Sequence, residues 1–312
     1  MADFVHIPVM LNECINGLNL KTDGIYFDGT LGGAGHSYKI LKNSAPFGRL
    51  IATDLDDYAI SRAYDKLAPF NGRFNLVKDN FKNFASVISS LGIEKLDGIL
   101  LDLGVSSFQL DDKSRGFSYM ADGESLDMRM DATQALSAID IINSYSENQL
   151  KSILLEYGEE RFAGNIAKNI IAERKVNKIV TVGKLNEIIR KSIPLKFQVG
   201  GHPSKKTFQA LRIEVNGELN GLYQTIIDMT RSLKSGGRIA IITFHSLEDR
   251  IVKRAFKELE TDCICDKSLP VCVCGKKKEI NIITKHPIIA SDNELLINSR
   301  AKSAKLRIAE KI

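Results

Sequence analysis

Short apolar runs rich in branched and aromatic residues recur across the first hundred positions: Ile25-Tyr26-Phe27, Leu50-Ile51-Ala52-Thr53, Phe74–Val77 and Asp97–Leu103. Each reads as a strand. Between them lie amphipathic stretches, with a helix start at Ser37–Leu41 and helices over Asp57–Ala68 and Phe84–Leu91. Strands with continuous apolar centres are buried on both faces, so this alternation predicts a parallel sheet covered by helices on each side. From about residue 133 to 233 the period changes. Phe162, Ile166 and Ile170 recur every four positions, and Leu185, Ile188 and Ile189 keep the helical spacing. Ser146-Glu147-Asn148-Gln149 has the form of a capping box opening a helix. Strand character returns at Arg238–Phe244, after Gly236-Gly237, and again at Ile280–Thr284 and Lys305–Ile308. The pattern predicts one doubly wound, mostly parallel α/β domain, residues 1–111 and 207–312, split by a helical insertion at 112–206.

The composition agrees: 312 residues, 44% hydrophobic and 26% charged, suit one large α/β domain carrying an insertion. No apolar run approaches the ~20 residues of a membrane-spanning helix. Met1-Ala2-Asp3-Phe4-Val5-His6 has no basic segment leading into an apolar one, so no secretory signal is expected. A cytoplasmic chain with reduced thiols follows, and a disulfide scaffold does not. The net charge of +5 is mild, but its distribution is uneven. Residues 108–150 carry 3 basic and 8 acidic side chains, whereas residues 151–206 carry 12 and 5. The basic block includes Lys168, Arg174, Lys175, Lys178, Lys184, Arg190, Lys191, Lys196, Lys205 and Lys206. One basic helix face is ordinarily just solvated; repeated over several helices, it is equally a surface for a polyanion.

Candidate chemistry starts after the first strand, at Asp28-Gly29-Thr30-Leu31-Gly32-Gly33-Ala34-Gly35-His36. Glycines at a strand-to-helix turn let backbone approach a ligand. No register of the turn fits G-x-G-x-x-G, which disfavours a nicotinamide oxidoreductase. An acid ending the strand before the glycines suits a cationic, phosphate-free cofactor instead. Asp54, at the end of the second strand, is placed to accept the hydroxyls of a ribose. Phe81 offers either an aromatic face for adenine or plain core. Asp102 ends the fourth strand in Leu100-Leu101-Asp102-Leu103-Gly104-Val105-Ser106-Ser107, as a cofactor contact, a catalytic group or a simple cap. A long loop follows, holding Arg115-Gly116-Phe117-Ser118-Tyr119-Met120 and Leu126-Asp127-Met128-Arg129-Met130-Asp131. Loops of this length are functional or disordered, and this one is too apolar for disorder.

Taken together these segments closely resemble the RsmH (MraW) family of ribosomal RNA methyltransferases. The likeness runs almost end to end, through His6–Leu11, Asp28–Ser37, Asp97–Ser107, Gln109–Asp111, Arg115–Ser118, Leu126–Asp131, Tyr157–Ala163, Thr207–Ile213, Phe244–Arg250 and Ser303–Lys311. Phe108 stands where the family commonly has Pro, and Lys206 where it often has Arg. The resemblance implies a Rossmann-like class I methyltransferase fold and S-adenosylmethionine as cofactor. It implies methylation of N4 of a cytosine in small-subunit ribosomal RNA, with the 30S particle as the expected substrate and naked RNA as the open alternative. Cofactor contacts carry over to Ala34, Gly35, His36, Asp54, Phe81, Asp102 and Gln109. His36 and Gln109 come from the resemblance alone; His36 otherwise reads as a cap or core residue. The sequence leaves dimerisation open; the intact cofactor turn and Asp102 argue against a non-catalytic role in ribosome assembly, while a structural role alongside catalysis stays open.

N4 chemistry needs the nitrogen, methyl and sulfur in line, and a group to receive a proton. Asp102 or its Gly104–Ser107 neighbours are the catalytic candidates. Cys14 reads as a small buried residue, since direct transfer needs no covalent nucleophile. The target base must be single-stranded or extruded. Phe117, Tyr119 and Met128 are candidates to stack on it, and Arg115 and Arg129 to hold phosphates, unless they simply pack the loop. In Phe244-His245-Ser246-Leu247-Glu248-Asp249-Arg250 a hydrolase triad is excluded by crowding and by the missing nucleophile elbow. Ser246 is expected to cap a helix there, and His245 to face the substrate. Cys263-x-Cys265 and Cys272-x-Cys274 read either as zinc ligands or as a reduced loop beside Lys276-Lys277-Lys278; no metal is assigned from sequence.

Overall fold

The computed structural model describes residues 7–266 and 271–312; the Met1–His6 opening, with the first residue of its motif, lies outside the described residues. Its strands are β1 (Ile25–Asp28), β2 (Arg49–Asp54), β3 (Phe74–Lys78), β4 (Leu96–Asp102), β5 (Leu233–Thr243), β6 (Ile280–Ile282), β7 (Ile288–Ile289) and β8 (Lys305–Lys311). They form one sheet in the order β3-β2-β1-β4-β5-β8-β6, with β7 on β8. The first five pair in parallel; β8 runs antiparallel to β5, β6 and β7. This is the doubly wound, mostly parallel sheet expected.

The helices are α1 (Leu11–Leu18), α2 (Gly35–Asn43), α3 (Asp57–Leu67), α4 (Phe84–Ser90), α5 (Ser107–Asp111), α6 (Ala138–Ser144), α7 (Glu147–Glu156), α8 (Ala163–Arg174), α9 (Val182–Ser192), α10 (Lys205–Asn216), α11 (Leu222–Arg231), α12 (Ser246–Glu260) and α13 (Asp292–Ile297). Successive strand residues point to opposite faces, and both faces are covered. Phe27, Ile99, Leu101, Ile239 and Ile241 pack beneath α4, α11 and α12. Tyr26, Leu100, Ala240 and Ile242 pack beneath α1, α2 and α3. The chain leaves β1 for β2 on one side and β4 for β5 on the other, so strand order reverses between β1 and β4. In open α/β sheets the crevice outside the carboxyl ends at such a point is where ligands bind.

The chain folds as two units: residues to Gly104 with Leu219–Ile312, and Val105–Glu218. The helical unit therefore has wider edges than the 112–206 read from sequence. Phe208, Ala210, Leu211 and Val215 of α10 sit in its own core with Ile141, Leu150, Ile166 and Ile189, and Val105 and Leu110 pack against that core. Helix α11, inside the 207–312 stretch read as part of the sheet domain although its apolar period is helical, lies in the sheet unit, where Leu222, Ile226 and Met229 join the core under α12. Strand β5 starts before Gly236-Gly237 rather than after them. The register slips between Leu96↔Leu233 and Gly98↔Arg238, and Gly236 supplies the positive φ of 75°.

Candidate active site

The turn after β1 is built from backbone. Gly29 N–H donates to Leu100 O (3.0 Å) on β4, and Leu31 N–H to Thr53 O (3.0 Å) on β2. Gly32 (φ 45°) and Ala34 (φ 52°) are left-handed, which bends the chain into α2. Helix α2 consequently begins at Gly35, two residues before the expected start. A Cβ on Gly35 would lie 2.1 Å from Pro8 Cγ, and one on Gly29 2.4 Å from Leu101 Cδ2 and 2.8 Å from Phe81 Cβ. These glycines are required by close packing.

Three carboxyl groups close β1, β2 and β4. Asp28, 1% exposed, accepts from Ser37 Oγ (2.6 Å) and Thr30 N–H (3.1 Å). Burial pushes it up to about 6 against those hydrogen bonds, and nearby Asp54 adds repulsion. Asp54 accepts from Gly32 N–H (2.8 Å) and Asp56 N–H (2.9 Å), yet burial still raises it. The Asp102 N–H donates to Thr30 Oγ1 (2.6 Å), and that hydroxyl lies 3.5 Å from Asp28, so Thr30 ties the ends of β1 and β4 together. Burial first, then Asp28 and Glu248, push the Asp102 carboxyl up to about 8. Its Oδ1 is buried with no hydrogen-bond partner among the described residues. Its Oδ2 lies 3.9 Å from His36 Nδ1. His36 Nε2 sits 3.0 Å from Val9 O; a carbonyl only accepts, so Nε2 carries the proton. The ring is thereby fixed with Nδ1 toward Asp102.

Phe81 opens a short 3₁₀ turn after β3, half-buried on the sheet core and against Gly29. Asn80 caps that turn, accepting from Lys82 N–H (3.0 Å). Thr30, Ser37 and Glu248 were not singled out from sequence; hydroxyls two and nine residues after Asp28 were the available signal. Cys14 is buried and its thiol is pushed well up by burial, with Asp102 adding to the rise, so it is not a thiolate nucleophile.

His245, rather than Ser246, is the N-cap of α12. Its Nδ1 accepts from Glu248 N–H (3.4 Å), while Glu248 Oε2 accepts from Phe244 N–H (2.8 Å) and His245 N–H (3.3 Å). His245 Nε2 lies 3.1 Å from Glu248 Oε1 but off the hydrogen-bonding line. A ring nitrogen with a fixed lone pair serves here in place of the serine hydroxyl.

In the helical unit Gln109 is the third residue of α5. Its side chain accepts from Ser106 N–H (3.0 Å), and Ser106 Oγ accepts from Gln109 N–H (3.3 Å), completing a capping box. The long loop is held by its arginines. Arg115 donates to Arg129 O (2.8 Å) and Met130 O (2.9 Å). Arg129 forks onto Asp127 (2.9 and 2.8 Å) and donates to Gln134 O (2.8 Å). Phe117 and Met128 are core, 5% and 0% exposed, and Tyr119 stacks on His202 at 4.6 Å. For these residues the loop-packing alternative is the one realised, because the connection from 112 to 137, regular only in the 3₁₀ turn Lys113–Arg115, needs internal donors to order it. Exposed Phe108 (41%) occupies the position where Pro was expected, and Lys206 Nζ donates to Glu159 O (2.8 Å).

The carboxyl cluster tests what the site can hold. Beyond burial, the charged groups that raise these carboxyls are all acids: Asp54 acts on Asp28, and Asp28 and Glu248 act on Asp102. Lys66, which reaches the glycine turn, donates to Gly33 O (2.7 Å). Buried acids facing an unsatisfied oxygen repel phosphate and suit a cation, so a phosphate-free, positively charged cofactor fits these residues.

Comparison with known proteins agrees with that geometry. "Ribosomal RNA small subunit methyltransferase H 2" of Agathobacter rectalis is 56% identical over 310 residues, covering 99% of each chain. "Ribosomal RNA small subunit methyltransferase H" of Lachnospira eligens is 54% identical over 313 residues (100% and 99%), and that of Clostridioides difficile 51% over 311 (99% and 100%). A solved putative rRNA-methylase from Clostridium thermocellum covers 99% of this chain and 100% of its own at 13% identity, with a TM-score of 0.45, too loose to carry an argument. The sequence model described as the MraW methylase family matches residues 3–312, and this chain belongs to that family.

Proposed function

We propose that the chain methylates the exocyclic N4 amine of a cytosine in small-subunit ribosomal RNA, using S-adenosylmethionine, by direct in-line transfer without a covalent enzyme intermediate. The observation that carries this reading is the set of buried carboxyls around the glycine turn, with Asp102 Oδ1 unpartnered among the described residues. The printed names of the relatives support the ribosomal RNA substrate. Ala34, Gly35 and His36 in the turn, Asp54, Phe81, Asp102 and Gln109 would hold the cofactor. Asp54 would take the ribose hydroxyls and Phe81 the adenine face. When bound, the cofactor supplies an electrophilic methyl on a sulfonium. Asp102 accepts an N–H of the target amine, which turns nitrogen density toward the methyl, and then receives the proton at Oδ1.

The helical unit is the RNA-recognition part in this reading. Lys168, Lys175, Lys178 and Lys205 are exposed, whereas Lys184 and Lys191 are paired with Glu173 and Glu187 at 2.5–3.3 Å. Phe197, 41% exposed, lies under Arg161 (4.9 Å) and Lys196 (5.2 Å), an aromatic–cation group suited to bases and phosphates. His245 remains a candidate substrate contact. No helix among the described residues is long and apolar enough to cross a membrane, and a ribosomal substrate supports a cytoplasmic location.

Transfer of labelled methyl to small-subunit particles and to naked ribosomal RNA, with mapping of the base, tests this. Label at cytosine N4 is expected. Label on another atom, or Asp102→Asn with full single-turnover rate and unchanged cofactor affinity, removes the respective part of the proposal.

A further inference from the structure

Between α12 and β6 the described residues, 261–266 and 271–279, have little core of their own. Ile264 (69% exposed), Val271 (70%) and Val273 (78%) face solvent, and none of them joins a hydrophobic cluster. Yet four thiols converge here. Cys263 Sγ lies 3.6 Å from Cys272 and 3.9 Å from Cys274; Cys272 lies 3.6 Å from Cys274 and 3.9 Å from Cys265. All four sulfurs fall within 4.8 Å of one another. Disulfide sulfurs would sit at about 2.05 Å, so these are unbonded thiols. Four sulfurs at about 2.3 Å from one tetrahedral zinc ion stand about 3.8 Å apart along each edge, which the four separations of 3.6–3.9 Å match.

We propose that Cys263, Cys265, Cys272 and Cys274 form a structural zinc site. Four protein ligands leave no open position for water or substrate, so the ion holds the loop and takes no part in methyl transfer. On binding, each ligand sulfur gives its proton to solvent and bonds to the ion as thiolate. The resulting excess negative charge is met by backbone donors already aimed at the sulfurs: Ile264 N–H to Cys274 (3.4 Å), Cys265 N–H to Cys263 (3.4 Å) and Val273 N–H to Cys265 (3.3 Å). Lys276, Lys277 and Lys278 follow directly in the chain. The metal supplies the ordering energy that the absent apolar core does not.

Elemental analysis of the full chain, purified under reducing conditions without added metal and again after zinc and desalting, reads the site. One zinc per chain is expected, falling below a tenth in Cys263→Ser/Cys272→Ser and unchanged in Cys14→Ala. Alkylation of the unmutated folded chain keeps the test independent of how the serine variant folds. The four loop cysteines should modify at least tenfold faster once a zinc chelator is added. Less than a tenth of an equivalent of zinc after loading, full zinc retained in the double variant, or chelator-independent alkylation would each overturn the proposal.

Discussion

Asp102→Asn keeps the shape of the side chain and removes its charge. In the native chain this carboxyl is held up to about 8 against an ordinary 3.8. At pH 7 such a group is protonated about nine-tenths of the time. A cationic ligand beside it favours the ionised form, so binding S-adenosylmethionine at pH 7 should release about 0.9 proton. Asp28, at about 6, is already mostly ionised there and adds about 0.1. Calorimetry in two buffers of different ionisation enthalpy measures this count: close to one proton for the native chain, about 0.1 for Asp102→Asn, and a fall to about 0.1 in the native chain at pH 9. Stability follows with a definite sign. The folded state holds a proton that the unfolded state has lost between pH 3.8 and about 8. Native stability therefore falls as pH rises through that window, and the loss is complete above it. The full shift is worth about 6 kcal/mol at about 1.4 kcal/mol per pH unit. With 21% of the side chain still reaching solvent, about half of that, ~3 kcal/mol, is the expected loss relative to Asp102→Asn between pH 4.5 and 8.5 by urea unfolding. Parallel pH profiles and equal proton counts for the two proteins would refute the reasoning.

Gly35→Ala drives a Cβ to 2.1 Å from Pro8 Cγ; a stability loss of about 1–3 kcal/mol by urea unfolding and weaker cofactor binding by calorimetry are expected. Ser106→Ala breaks the box that opens α5; amide exchange across 106–112 should speed by about five- to tenfold, equivalent to about 1 kcal/mol. Lys168→Gln, Lys175→Gln and Lys178→Gln together should weaken every RNA tested and lower the log–log salt slope by about 2 units, and an unchanged slope would move the RNA elsewhere. Arg129→Lys loses the fork on Asp127 and the bond to Gln134 O; urea unfolding should report about 1–3 kcal/mol less stability in the helical unit.

The parallel strands were legible because each is an apolar run with both faces buried, a pattern that hardly depends on partners. Helix α1 was not. Its sequence, LNECINGL, is short and mixed, and it starts from a left-handed Met10 whose N–H donates to Glu294 Oε1 (2.7 Å), 284 residues away. Nothing local announces such an anchor. In the site, Asp28, Asp54 and Asp102 were legible from their place at strand ends. Thr30 was not, because its role is to join two strands that only the fold brings together. The arginines of the long loop misled for a physical reason: guanidinium groups serve phosphates and stray carbonyls equally well, and a loop without regular hydrogen bonds has carbonyls in need of donors.

The acidity of the site bears on when Asp102 can take a proton. An ordinary aspartate, ionised and well solvated, would be a poor acceptor from an amine conjugated to a ring. Here burial, Asp28 and Glu248 make the proton welcome whenever no cation stands alongside. In the proposed reaction Asp102 would face a cationic cofactor before transfer and a cationic target nitrogen after it. The same carboxyl that is held ionised beforehand then returns to its preference for the neutral form at the moment the nitrogen must shed its proton. His36, held by Val9 O, turns its Nδ1 toward Asp102 Oδ2 at 3.9 Å. A lysine or arginine at that position would hold Asp102 permanently ionised and remove the driving force for proton transfer. Among the described residues no lysine or arginine pairs with Asp102, which supports the proposed proton-accepting role over that of an ion-paired strut.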